Sequence, residues 1–183
     1  MCQFKSAIIT KSGDVLHSHF TDSHEDLIRL FKLNDTSDVR GEPRFARVEF
    51  KPDSKIDLGD ASKYTLLIDE ARTPEWFDDA MKISVENKLR LIVEGMIITG
   101  NVDMLVGGKY ILAKGAHVSC IKNCLIEVML GSSNVGEMLE SSKVGEMWES
   151  SKVGVMWGSS KVGEMWESSN VGVNESKNKL HTS

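Results

Sequence analysis

Val135, Val144, Val153, Val162 and Val171 lie nine residues apart without error, inside a nearly invariant unit that reads Ser-Lys-Val-Gly-Glu-Met-Trp-Glu-Ser. A fixed period of this kind marks a repeat architecture. Arithmetic excludes an α-helix, because nine residues make two and a half turns and successive valines would fall on opposite sides. The glycine in every unit would also cost a helix about 1 kcal/mol each time. A flexible Ser/Gly linker lacks Val, Met and Trp at fixed phase. Stacked parallel strands set Val on Val and Met on Met, with Gly and the Ser-Ser pair supplying the bends. The sequence thus predicts a short parallel β-solenoid of nine-residue repeats, two repeats per coil. Nine extended residues span only about 30 Å, too small a perimeter to enclose Val and Met between sheets about 10 Å apart. The regular repeats cover 133–176, and the array is expected to start irregularly between Leu112 and Ile126, with Ile126 one period before Val135.

Upstream, the pattern is that of an α+β N-terminal domain. Phe4 to Leu16 reads as a hairpin around Lys11-Ser12-Gly13-Asp14, and Thr21-Asp22-Ser23-His24-Glu25-Asp26 as the start of a short amphipathic helix ending near Asn34. Strands are expected at Phe45–Phe50 and Tyr64–Ile68. Thr73-Pro74-Glu75 reads as the start of a helix that ends at Gly95, with Phe77, Met81, Val85, Leu89 and Ile92 on one face. The expected order is ββαββα, with helices covering one face of the sheet. The division that follows is a capping α/β domain at 1–95, a solenoid at 96–176 and a polar tail at 177–183.

Charge narrows the partners. The chain of 183 residues carries a net charge of −5, which argues against a nucleic-acid backbone as ligand. Between Ser133 and Ser176 seven glutamates face three lysines, so the array holds most of that charge and a basic partner fits it. Three cysteines, Cys2, Cys120 and Cys124, are too few for a disulfide framework and suit a reducing compartment. No secretory signal and no membrane-spanning run is visible, so the expected location is the cytoplasm.

Several chemistries are weighed and set aside. Calcium-binding nonapeptides carry Asp in each unit, and these repeats contain none. His17, His19 and His24 with Asp22 and Asp26 invite a metal site, but Asp22–Asp26 is already explained as a helix start, and no metal or cofactor is expected. Cys120-x-x-x-Cys124 lacks a second cysteine pair and reads as buried small residues. Trp148, Trp157 and Trp166 form either an exposed row for binding or filling between the sheets, buried packing being the commoner fate. Cys2 carries the one enzymatic alternative. With Met1 removed, its thiol and α-amine would resemble the start of class II glutamine amidotransferases or of abasic-site crosslinking proteins, with His19 as a helper. Both families have Gly after the Cys, where this chain has Gln3.

Met1-Cys2-Gln3-Phe4, Asp22-Ser23-His24-Glu25-Asp26-Leu27, Phe45-Ala46-Arg47-Val48-Glu49-Phe50, Thr73-Pro74-Glu75-Trp76-Phe77 and the Val-Gly-Glu-Met-Trp units together resemble a family of uncharacterised proteins of bacteriophages, prophages and gut bacteria. The resemblance spans nearly the whole chain. It implies a phage-related origin and a repeat tail of varying length, and it carries over no activity and no site. The reading that follows is a non-enzymatic binding or scaffolding protein in a bacterial host cell. Its solenoid would present Trp148, Trp157, Trp166, Glu146, Glu149, Glu164 and Glu167 to a protein partner, with a homodimer through the C-terminal solenoid end. Retention of Met1, read by intact mass, would remove the Cys2 alternative.

Overall fold

The structure is a computed structural model and describes residues 5–177. Cys2 and the end of the polar tail lie outside the described residues. The chain forms two compact units, one from the described residues up to Asp57 with Ala61–Glu94, the other from Leu58–Asp60 and the described residues from Gly95 onward.

The first unit holds β1 (Lys5–Thr10), β2 (Val15–Leu16), α1 (His24–Leu30), β3 (Phe45–Pro52), β4 (Tyr64–Ile68) and α2 (Asp79–Glu94). The four strands form an antiparallel sheet in the order β2-β1-β3-β4. Gly13, at φ 81°, closes the β1–β2 turn through its N–H to the Thr10 carbonyl at 2.9 Å. Ser23 caps α1, accepting from the Asp26 N–H at 3.3 Å. That helix stops at Leu30, because Lys32 turns into the left-handed region at φ 52°.

Two expectations are corrected here. Helices cover both faces of the sheet, not one. Ala7, Ile8 and Ile9 are all fully buried, and successive strand residues face opposite sides. Leu27 of α1 packs on Ile8 and Phe45 on one face, while Arg90 of α2 lies over the Phe50 ring, 5.3 Å from its centroid, on the other. The second helix also starts later than Thr73. Thr73–Asp78 makes a turn, held by the Phe77 N–H on the Pro74 carbonyl and by the Trp76 Nε1 donating to the Pro43 carbonyl at 2.9 Å. Asp78 supplies the cap, its Oδ1 accepting from the Met81 N–H at 2.8 Å.

The second unit is a parallel β-solenoid over residues 97–174. Its strands are β5 (Ile97–Ile98), β6 (Asn101–Val106), β7 (Lys109–Leu112), β8 (His117–Lys122), β9 (Leu125–Met129), β10 (Asn134–Leu139), β11 (Lys143–Met147), β12 (Lys152–Met156), β13 (Lys161–Met165) and β14 (Asn170–Asn174). Even strands form one sheet in the order β14-β12-β10-β8-β6, odd strands the other in the order β13-β11-β9-β7-β5. Val135 lies opposite Val118 and Val153, and Val144 opposite Ile126 and Val162. The coils begin earlier than the interval from Leu112 to Ile126, since Val102 already pairs with Val118.

The core consists of Val and Met pointing inward from both sheets, Val135, Met138, Val144, Met147 and Met156 being fully buried. Val and Met stand three apart, so a straight strand would send them to opposite faces. The chain bends at the glycine between them. Pairing registers skip that residue, and a Cβ on Gly145 would stand 2.5 Å from the Glu127 carbonyl oxygen of the coil beneath. The same holds for Gly136 over Ser119 and Gly154 over Gly136, both at 2.5 Å. Glycine fits the close approach between coils in the regular repeats, whereas Asp103 and Ser119 hold the same skipped place in β6 and β8. No helix among the described residues is long and apolar enough to cross a membrane.

Candidate functional site

Each coil turns at two corners, and the residue after Leu or Trp, or after Lys122 in one case, adopts a left-handed conformation at most of them. Asn123, Gly131, Glu140, Glu149, Gly158 and Glu167 have φ between 53° and 66°. The second serine of each corner then folds inward. Ser133, Ser142, Ser151 and Ser160 are fully buried, and the Ser142 and Ser160 hydroxyls each donate to a carbonyl within their own turn at 2.7 Å. With the serines inside and the glutamates at the apex, the preceding indoles are held at the rim and stay out of the Val/Met core. Trp148 is half-buried, while Trp157 and Trp166 keep 43% and 36% of their surface exposed.

The corner leading from odd to even strands gathers most of the candidate residues. Trp148 and Trp166 stack with ring centroids 5.6 Å apart and planes 21° from parallel. Glu146 and Glu164 are ladder partners on β11 and β13, and Glu149 and Glu167 follow the two indoles. The Trp148 Nε1 donates to Glu146 Oε2 at 2.8 Å. The result is an indole stack edged by four carboxylates, a chemistry that suits a cationic side chain, which gains both Coulomb attraction and the π face. Trp157 does not join it. It lies on the other corner, which also carries Lys143 and Lys161 as ladder partners and, one coil earlier, Lys122 paired to Glu140 at 2.9 Å. That ion pair holds the Glu140 carboxyl below its usual range and raises Lys122.

In the N-terminal unit the residues weighed for metal binding go to separate partners. Asp22 accepts from the Lys5 ammonium at 2.9 Å, and Asp26 pairs with Arg29 at 2.5 Å. His24 is buried between the Val48 carbonyl at 3.0 Å and Asp69 at 3.1 Å. His17 and His19 meet edge to face at 5.3 Å, and burial pushes the His17 imidazole below its ordinary value. Among the described residues no three His, Cys, Asp or Glu side chains cluster as a cation would require. Cys120 and Cys124 are free thiols whose values burial raises, the opposite of an activated nucleophile.

Three features escaped the sequence reading. Lys5 is fully buried with its ammonium on the Ser18 carbonyl and Asp22, although β1 reads as an ordinary apolar strand. An open cleft of about 580 Å³ lies among Lys11, Asp38, Arg72, Glu75 and Trp76; its charges largely pair with one another, and Lys11 beside Asp38 holds that carboxyl down to about 2. The third is the sorting of charge between the two corners, hidden because the two identical units Ser142–Ser150 and Ser160–Ser168 each carry both signs. No protein-family model matches the chain, nor does any curated protein or any solved structure.

Proposed function

We propose that this chain is a non-enzymatic binding or scaffolding protein of phage-related origin, whose acidic corner docks a Lys- or Arg-bearing segment of another protein in the bacterial cytoplasm. The observation that carries the reading is the Trp148–Trp166 stack with Glu146, Glu149, Glu164 and Glu167 around it. Indoles at a rim offer a rigid apolar contact at little conformational cost, and desolvated charge pairs around them set register and specificity. A host factor is a fitting occupant for a phage-derived surface of this kind.

The same reading makes two nonapeptides one coil. It is supported by partners eighteen residues apart, Val135 with Val153 and Lys143 with Lys161, which leave Val144 to the facing sheet.

Titrating a basic peptide of about twelve residues, alternating Lys and Ala, into the full chain at low salt tests the docking surface through tryptophan fluorescence. Saturable quenching that is lost in Glu149→Lys/Glu167→Lys supports it. Equal binding by that variant, or no binding by the wild type, overturns it.

A further inference from the structure

The stacking that builds the core also stacks like charges. Lys143 lies directly opposite Lys161, and Glu146 opposite Glu164, on the adjacent strands β11 and β13. Like charges at neighbouring ladder positions repel. Lys143, Lys161, Glu149, Glu164 and Glu167 take no part in any ion pair among the described residues, while Lys109–Glu127 and Lys122–Glu140 do pair inside the solenoid. Lys143 and Lys161 cannot reach Glu149 and Glu167 within a protomer, because Lys143 and Glu149 stand at opposite ends of one strand, roughly 20 Å apart for six extended residues; Lys152, which opens β12 just past Glu149, leaves the four carboxylates of that corner in excess.

From this we infer that the acidic corner receives the basic corner of a second copy of this chain, side by side, with Glu149 and Glu167 of one protomer against Lys143 and Lys161 of the next. The fit follows from pitch. Both ladders are built on the same pair of strands, so the carboxylates and the ammonium groups repeat at the same spacing of about 4.8 Å and stay in register from coil to coil. No unrelated partner has that match by construction. The aromatic residues agree: Trp157, isolated on the basic corner, is brought toward the Trp148–Trp166 stack, and the lysines gain an indole face.

The contact is heterologous, acidic corner to basic corner, so a pair of protomers still carries one free corner of each kind and association continues to longer oligomers. It rests on the acidic corner being a docking surface and adds the identity of its occupant.

Sedimentation equilibrium of the full chain tests it with two neutralised variants, Glu149→Gln/Glu167→Gln and Lys143→Gln/Lys161→Gln. These side chains are exposed, and far-ultraviolet circular dichroism checks that both variants keep the wild-type fold. The wild type is expected to show an average mass at least about 1.3-fold above monomer near 100 µM in low salt, returning to monomer in 0.5 M NaCl, where the Debye length is only about 4 Å. Each variant alone stays monomeric. Mixed in equal amounts they form a one-to-one dimer that grows no further, because only one acidic and one basic corner remain intact. A monomeric wild type, either variant associating like the wild type, or a monomeric mixture overturns the inference. Where the wild type is monomeric and the basic peptide still binds, the docking surface stands and only the second copy as its occupant is refuted.

Discussion

Replacing Gly145 by alanine isolates the close approach on which the coil depends. The new Cβ would stand 2.5 Å from the Glu127 carbonyl oxygen, a backbone atom that no side-chain rotation can move, and Gly145 has no left-handed φ that would add a second penalty. Relief requires the two coils to separate by somewhat less than 1 Å at that point. The flanking ladder bonds, Lys143 N–H to the Cys124 carbonyl at 2.8 Å and Trp148 N–H to the Met129 carbonyl at 3.0 Å, would then stretch to the edge of hydrogen bonding. Two such bonds are worth about 1 kcal/mol each, and local strain adds about as much as one more. Alanine's smaller unfolded-state entropy offsets roughly 0.5–1 kcal/mol. The net loss is about 2 kcal/mol. Gly100→Ala is the control, since nothing lies within 4 Å of its Cβ, and it should change stability by less than about 0.5 kcal/mol. Urea unfolding followed by tryptophan fluorescence reads both, three of the four indoles being in the array. A Gly145→Ala protein as stable as Gly100→Ala would refute the reasoning.

Glu149→Asn should stabilise the array by about 0.5–1 kcal/mol in the same assay, because φ at this position is 55° and Asn tolerates that region better than Glu. Stability should fall on acidification through the ordinary histidine value of 6.5: burial, with the Lys5 charge next, depresses the folded His17, so the unfolded chain binds the proton first. His17→Gln should shrink the difference between unfolding midpoints at pH 7.5 and 5.5, and an unchanged difference would count against a half-buried imidazole that disfavours its proton. The C-terminal end of the array is a second place where copies can meet, since β13 and β14 each end their sheet and Val173 is 47% exposed. Light scattering of Val171→Asp should show loss of any salt-resistant dimer, while the salt-sensitive association through the corners persists.

The regular half of the solenoid was legible because Val144, Val153 and Val162 keep one spacing and each lands on a buried ladder position. Upstream the same inward pair recurs as Val102 with Leu105 and Val118 with Ile121, but the partners Val102 and Val118 are sixteen residues apart and Val118 and Val135 seventeen. Corner length drifts while the ladder stays in register, so a search for a nine-residue period finds nothing there. In the N-terminal unit the strands at Phe45 and Tyr64 were readable from alternation, whereas the doubly covered sheet was not. Lys5 and Ser6 are buried polar residues at the head of β1, and their presence disguises a strand packed on both faces. The separation of acidic from basic corners needs the pairing register, since no single nonapeptide shows which of its charges will become neighbours.

Ladder neighbours eighteen residues apart give the array a parity. Adding or deleting two nonapeptides lengthens or shortens the stack and leaves every downstream residue on its own face. A change of one nonapeptide transfers all that follows to the other sheet, so a unit inserted after Ser159 would pass Trp166 and Glu167 from the acidic corner to the side of Trp157 and Lys143, and Glu164 and Val173 would exchange sheets. Slippage during replication can add or remove a single unit at the level of the gene. The protein's interior would accept the result, since Val and Met recur in either phase, and the surface chemistry would be scrambled. Arrays of this type should therefore vary in length by even numbers of units wherever the corners matter, and by any number where only the core does.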